Sequence, residues 1–214
     1  MNGLAIAIKG LIDIIGAVVL LVCSFPILIL SSLAILFTMG WPVLFKQKRC
    51  GLHGKPFVLY KLRTLTERRD SQNRLLPDEQ RLTPIGKLLR RASIDELPGL
   101  LNVLKGEMSL VGPRPLLMEY VPEFNARQRL RLACKPGITG WAQINGRNVL
   151  SWERKLELDI WYFEHWNLWL DFRILARTFT KVLRQEGISH PGHATAGKFR
   201  GSNQSSGVDH SLGK

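Results

Sequence analysis

The chain has 214 residues, a formal net charge of +13 and a pI near 10.2. Setting aside an apolar start and a polar end leaves about 140 residues, one domain of ordinary size, and the basic balance calls for a polyanionic partner: anionic lipid, nucleic acid or a phosphorylated substrate. Cys23, Cys50 and Cys134 are scattered without metal or redox spacing, which excludes a disulfide scaffold and suggests reduced thiols on a cytosol-facing domain.

Between residues 10 and 45 the only charged side chain is Asp13, and Lys9 and Lys46 bracket the run. As one straight helix it would extend roughly 54 Å, against about 30 Å of bilayer hydrocarbon. Two full crossings and a turn would need about 40 apolar residues. Near the middle stands Cys23-Ser24-Phe25-Pro26. Pro26 removes a helical hydrogen bond and crowds the preceding turn, and the Ser24 hydroxyl can take up a freed carbonyl. The economical expectation is two half-helices, 11–22 and 27–38, bent at Pro26 so that both ends leave by one face. A tilted or kinked spanning helix is the alternative. Lys9 on one flank and Lys46, Lys48 and Arg49 on the other leave neither side as the translocated one.

Residues 43–48 and 56–64 read as a hairpin across Gly51-Leu52-His53-Gly54. The period of two puts Phe57, Leu59, Lys61 and Arg63 on one face. The two cations are either edge charges that block aggregation or a phosphate clamp. Residues 68–81 have no apolar period and read as a loop. Thr83-Pro84 is a good helix start, and that helix carries Lys87, Arg90 and Arg91 and ends near Ala92.

Ser93-Ile94-Asp95-Glu96-Leu97-Pro98 fits a capping box, with Ser93 and Glu96 bonding each other's backbone amides. The same helix start also suits a site, because free amides and the dipole favour an anion there. A carboxylate so placed stays ionised as a nucleophile, and its neighbour can bind Mg²⁺. The helix runs to about Lys105 and stops at Gly106. A short buried strand over residues 108–111 leads into Gly112-Pro113-Arg114-Pro115. The prolines present Arg114 with little ordering cost, either to solvent or to phosphate oxygens.

Residues 119–134 have helical periodicity, whereas residues 135–141 and Asn145-Gly146-Arg147-Asn148 read as turns that line a pocket or merely connect. Ser151 starts a helix through about Phe163. After a tryptophan-rich corner, residues 171–184 split into an apolar face (Phe172, Leu175, Ala176, Phe179, Val182, Leu183) and a basic stripe (Arg173, Arg177, Lys181, Arg184). Such a helix lies in a membrane interface or packs on the core. Beyond residue 190 the chain is polar and reads as a mobile tail. The whole is an α+β fold, mainly helical with a small β-hairpin or sheet: a membrane segment over 1–45, a cytosolic domain over 46–189 and a tail over 190–214.

From residue 5 to about 200 the chain resembles the monotopic phosphoglycosyl transferases, or bacterial sugar transferases. The likeness is carried in order by Tyr60-Lys61-Leu62-Arg63-Thr64, Arg90 to Pro98 with Asp95-Glu96, and Val111-Gly112-Pro113-Arg114-Pro115. Pro136-Gly137-Ile138-Thr139-Gly140-Trp141-Ala142-Gln143 and Asn145-Gly146-Arg147 complete it. The resemblance implies a re-entrant, non-spanning membrane helix with its break at Ser24 and Pro26, interfacial amphipathic helices, and a site on the cytosolic face of the bacterial cytoplasmic membrane. It implies transfer of a sugar 1-phosphate from a UDP-sugar to polyprenol (undecaprenyl) phosphate, with UMP released and glycan assembly begun. Asp95 is then the nucleophile of a covalent phosphosugar intermediate, and Glu96 with Asp95 holds Mg²⁺. Lys61, Arg63, Arg90, Arg114 and Arg147 match basic positions for phosphate and substrate. Membrane phospholipid is an expected partner, nucleic acid is not, and a homodimer is compatible with the pattern.

The chain departs from the family where Phe25 separates Ser24 from Pro26 and where Cys50 stands at a common proline. His193-Ala194-Thr195 with Lys198-Phe199 is similar to members that use UDP-diacetylbacillosamine. Two rival accounts remain: the acidic pair as general base for direct attack by the lipid phosphate, and a non-enzymatic basic adaptor on anionic lipid or nucleic acid.

Overall fold

The computed structural model describes residues 3–146 and 150–184. Its first element is α1, Gly3–Met39, which carries Pro26 inside it. The helix is continuous through the proline, so the two separate halves expected from the sequence are one element. Ser24 Oγ donates to Leu21 O at a long 3.4 Å. Asp13, Ala17, Ser31 and Ile35 are its buried residues, and apolar side chains between them, including Val22, Phe25 and Leu30, stand exposed. This is the one helix, among the described residues, long and apolar enough to cross a membrane.

The hairpin forms as β1, Leu44–Cys50, and β2, Pro56–Leu62. They pair antiparallel from Leu44↔Leu62 to Cys50↔Pro56. On β2 one face carries Phe57 and Leu59 into the main core and ends at Lys61, which reaches Glu96. The stretch read as a loop contains a short helix, α2, Asp78–Arg81. Thr83 caps α3, Pro84–Arg91, through Oγ1 accepting from Gly86 N at 3.0 Å. Residues 94–99 wind as a 3-10 turn that continues into α4, Leu100–Leu104. Gly106, at φ 74°, ends that run in the left-handed region a glycine tolerates best.

Two of the expected assignments change in the second half. Residues 119–134 contain 3-10 turns, Met118–Tyr120 and Gln128–Ala133, in place of the expected helix. The segment read as pure turn supplies β4, Gly137–Thr139, which pairs in parallel with β3, Ser109–Val111. This pairing needs glycine on both sides: a Cβ at Gly112 would collide with Lys135 O and Gly137 N. Glycine therefore signals close backbone approach here, not a free turn. α5, Trp141–Ile144, follows. α6, Trp152–His165, starts at Ser151, whose side chain accepts from Arg154 N, and α7 is Leu168–Arg184.

The main core gathers α1, the hairpin, α4, β3, α6 and α7, with Leu100, Met108, Tyr162 and Ile174 almost fully enclosed. Leu100, Met108 and Ile174 each contribute about 1.5–3 kcal/mol. α7 turns Leu170 and Ile174 inward, while Trp169, Phe172, Phe179 and Leu183 are 77, 62, 67 and 67% exposed. The helix therefore packs on the core by one edge, with Leu175 against it, while most of the apolar face read from the sequence stands outward.

A buried polar network ties α1 to the domain. Lys9 Nζ donates to Asp171 Oδ2 at 2.6 Å and to Val111 O at 3.2 Å. Leu110 N donates to Asp13 Oδ1 at 3.0 Å. Tyr162 Oη donates to Asp171 Oδ1 at 2.7 Å, and Trp166 Nε1 to Asp171 Oδ2 at 3.0 Å. At the far end Ile35 packs with Leu62 and Leu89, with Met39 and Ile94 at the edge of the cluster. Both ends of the apolar helix therefore grip the same domain.

Candidate active site

Asp95 and Glu96 sit in the first turn of the 3-10 segment Ile94–Gly99. The capping box does not form: Ser93 is left-handed at φ 56° and makes no side-chain cap hydrogen bond. Glu96 reaches forward into two cations instead. Lys61 Nζ lies 2.7 Å, and Arg114 Nη2 2.8 Å, from the same oxygen, Glu96 Oε1. The first is delivered by the end of β2. The second comes from the Gly112-Pro113-Arg114-Pro115 turn, held to β4 by Gly112 N donating to Thr139 O at 2.9 Å and Gly137 N donating to Pro113 O at 2.9 Å. Leu59, Met108, Gly137 and Ile138 complete the walls of a shallow cleft around them.

The two carboxyls are driven apart in acidity. Burial, followed by the Glu96 charge, pushes Asp95 up to about 6, against the pull of Lys61, Arg90 and Arg114. Burial would also raise Glu96, but Arg114 and Lys61 overcome it and hold that carboxyl well below the usual range. Asp95 is therefore a buried, poorly solvated carboxylate at neutral pH, and Glu96 is a permanent anion that orders its cations. The expectation that the helix start alone would keep Asp95 ionised gives way to this balance.

The remaining expected residues divide. Arg90 lies close enough to act on the Asp95 charge, and its Nε donates to Thr64 Oγ1 at 3.0 Å. Arg63 is not brought to the carboxylates: its guanidinium donates to Met39 O and Gly40 O, closing the C-terminus of α1. Such a cation at a helix C-terminus takes up orphan carbonyls and meets the negative end of the dipole. Arg147 and the His193–Phe199 run lie outside the described residues.

Sequence reasoning missed Arg49. It lines the cleft beside Lys61 and Arg114, donating to Gln47 Oε1 at 2.6 Å and Pro115 O at 3.4 Å. Burial, with the Arg114 charge behind it, lowers its pKa to about 10. The signal was present in the strand alternation. With Arg49 paired to Phe57 and Gln47 to Leu59, Arg49 shares the face that leads to Lys61.

Among the described residues no group of three or more His, Cys, Asp or Glu gathers as a metal cage. Adjacent carboxylates nevertheless suit Mg²⁺, which is held by one or two carboxylates together with waters and substrate phosphates. The like-charge repulsion that raises Asp95 is the kind a divalent ion relieves, so Asp95 and Glu96 fit it. Arg49, Lys61 and Arg114 line the cleft with Glu96, an arrangement that favours a polyanionic ligand, and Asp95, buried behind Glu96, feels the charges of Lys61, Arg90 and Arg114.

Comparison with known proteins places the chain in a family. The family model described as "Bacterial sugar transferase" matches residues 4–185. "Uncharacterized sugar transferase EpsL" of Bacillus subtilis is 56% identical over 195 residues, covering 91% of this chain and 96% of that protein. A UDP-glucose:undecaprenyl-phosphate glucose-1-phosphate transferase of Caulobacter vibrioides is 40% identical over 189 residues, 82% of this chain and 69% of the relative. An undecaprenyl-phosphate galactose phosphotransferase of Salmonella typhimurium is 36% identical over 192 residues, 78% of this chain but only 40% of that longer protein. These relatives are enzymes, which removes the adaptor account. The chain belongs to the bacterial sugar transferase family and is a transferase.

Proposed function

We propose that the protein transfers a sugar 1-phosphate from a UDP-sugar to undecaprenyl phosphate, releasing UMP. The observation that carries this reading is the pairing of a buried Asp95 with a Glu96 clamped by Lys61 and Arg114. A carboxylate oxygen of Asp95 attacks the sugar-bearing phosphorus of the donor. The bond from that phosphorus to the bridging oxygen breaks, and UMP carries the electron pair away. A phosphate oxygen of the polyprenol then attacks the same phosphorus and frees Asp95. Two displacements at one aspartate let the water-soluble donor leave before the lipid arrives.

Burial makes Asp95 a stronger base and nucleophile than a solvated aspartate, because fewer waters must be stripped from it. Lys61, Arg90 and Arg114 offset the negative charge that accumulates as donor phosphates approach two carboxylates. Mg²⁺ held by Asp95 and Glu96 would supply Lewis-acid neutralisation of the diphosphate. The rival direct displacement, with Asp95 as general base, also draws on a carboxyl near pH 6. It requires the lipid acceptor before any UMP appears.

α1 enters and leaves the bilayer on the cytosolic side under this reading. What supports it is the grip of both helix ends on one domain, with exposed apolar residues and Pro26 between. Trp169, Phe172, Phe179 and Leu183 on α7 would lie in the same interface. The relatives above act on glucose and galactose donors by name, so a UDP-hexose is the donor to try first, ahead of UDP-diacetylbacillosamine. The test is UMP release from a panel of UDP-sugars with undecaprenyl phosphate and Mg²⁺. Turnover in the wild type and none in Asp95→Asn supports the reading, and equal turnover in both removes Asp95 from the chemistry.

A further inference from the structure

The turn that presents Arg114 is held carbonyl by carbonyl. Pro113 O accepts from Gly137 N at 2.9 Å and Leu116 O from Cys50 N at 2.9 Å. Between them, Arg114 O accepts from Arg131 Nη2 at 2.7 Å and Pro115 O from Arg49 Nη1 at 3.4 Å. The shortest of the four comes from a guanidinium that is itself locked. Arg131 Nε and Nη2 donate to Asp159 Oδ2 at 3.1 and 2.8 Å, and the side chains are 2% and 5% exposed. The Phe124 ring lies 5.7 Å from the same guanidinium.

A buried ion pair is a poor device for stability alone. Its desolvation cost commonly cancels the attraction, and apolar replacements of similar volume are often neutral or better. An apolar pair cannot, however, donate to Arg114 O. We infer that Asp159 and Arg131 are positioning residues for Arg114. Asp159 on α6 fixes the Arg131 fork, and the fork fixes the Arg114 backbone, so that the Arg114 side chain meets Glu96 Oε1. Lysine at position 131 would have no planar fork to serve both acceptors in fixed directions. This inference rests on the reading that Arg114 serves the donor phosphates.

The test is deletion of the pair without stranding a charge, as Arg131→Met with Asp159→Leu in the full-length protein. The melting temperature should stay within a few degrees while donor turnover falls about 10- to 100-fold, the cost of a small misplacement. In an Arg114→Ala background the same pair of substitutions should add no further loss. Wild-type turnover in the pair-deleted protein, or an equal fold-loss in both backgrounds, overturns the inference. If the pair-deleted protein does not fold, Asp159→Asn carries the same comparison. Hydrogen exchange at the Gly137 amide, which bonds Pro113 O, reads the turn without any turnover. Faster exchange in the variant supports positioning, and unchanged exchange overturns it. Full turnover in Arg114→Ala alone would instead overturn the phosphate role of Arg114, a separate failure.

Discussion

Asp95 and Glu96 are neighbours in sequence whose acidities move in opposite directions. Asp95 is raised to about 6 by burial and by Glu96, while Glu96 is held low by Arg114 and Lys61. Below pH 6 Asp95 is protonated and Glu96 is not. Donor kcat/KM should therefore fall about tenfold per pH unit below about 6, since in the proposed mechanism only the ionised Asp95 attacks. Glu96→Gln removes the charge that raises Asp95, so the fall should move to lower pH. A pH profile of UMP release for both proteins checks this.

Glu96→Gln should also lower turnover at pH 8 by about 100-fold or more, comparable to loss of a fixed electrostatic contact at a reacting centre. It leaves Lys61 and Arg114 without their shared anion. Chelation of divalent ions should reduce the wild type by at least as much, and adding Mg²⁺ back should restore it. Steady-state kinetics with and without chelator provide the measurement.

Arg63→Ala should act on the fold before it acts on the donor. The guanidinium closes the Met39 and Gly40 carbonyls, and a hydrogen bond to a charged group contributes about 1.5–3 kcal/mol. We expect a lower melting temperature in detergent and an unchanged donor KM. A raised KM with unchanged stability would return Arg63 to the phosphate clamp.

Lys9→Met should destabilise by about 3 kcal/mol, somewhat below the fully buried case because Lys9 keeps partial solvent contact. It strands Asp171, which is held by Lys9, Tyr162 and Trp166. Lys9→Met with Asp171→Leu should recover part of the loss. Denaturant titration of the single and double variants reads this coupling.

Cys134 should resist iodoacetamide at pH 8 in the folded protein. Burial, with Asp159 next, pushes its thiol up to about 12, so almost no thiolate exists there. Mass spectrometry of alkylated peptides before and after denaturation gives the contrast.

What could be read from the sequence followed from local rules. Thr83-Pro84 and Ser151 announced helix starts because capping needs only a hydroxyl and a few residues, and both caps are present. The hairpin followed from alternation and a glycine-rich turn. Lys61 and Arg114 were legible as cations, but their convergence on one oxygen of Glu96 depends on contacts 35 and 18 residues apart. Ser93-x-x-Glu96 misled for the same reason. Tertiary cations outbid a local cap, and Glu96 turned outward from the backbone. The parallel pairing of β3 with β4 was invisible because each strand is three residues long. Its only trace was glycine at both contact points, which a local reading takes for turns.

In the proposed mechanism Asp95 becomes bonded to the donor's phosphorus, and intact-protein and peptide mass spectrometry after brief mixing with a UDP-hexose and Mg²⁺, without lipid acceptor, detects that bond. The expected result is a mass increase of one sugar phosphate on the peptide containing Asp95, UMP equal to the modified protein, and discharge on adding undecaprenyl phosphate. UMP formation only when the acceptor is present, with the Asp95 peptide never modified, would contradict it.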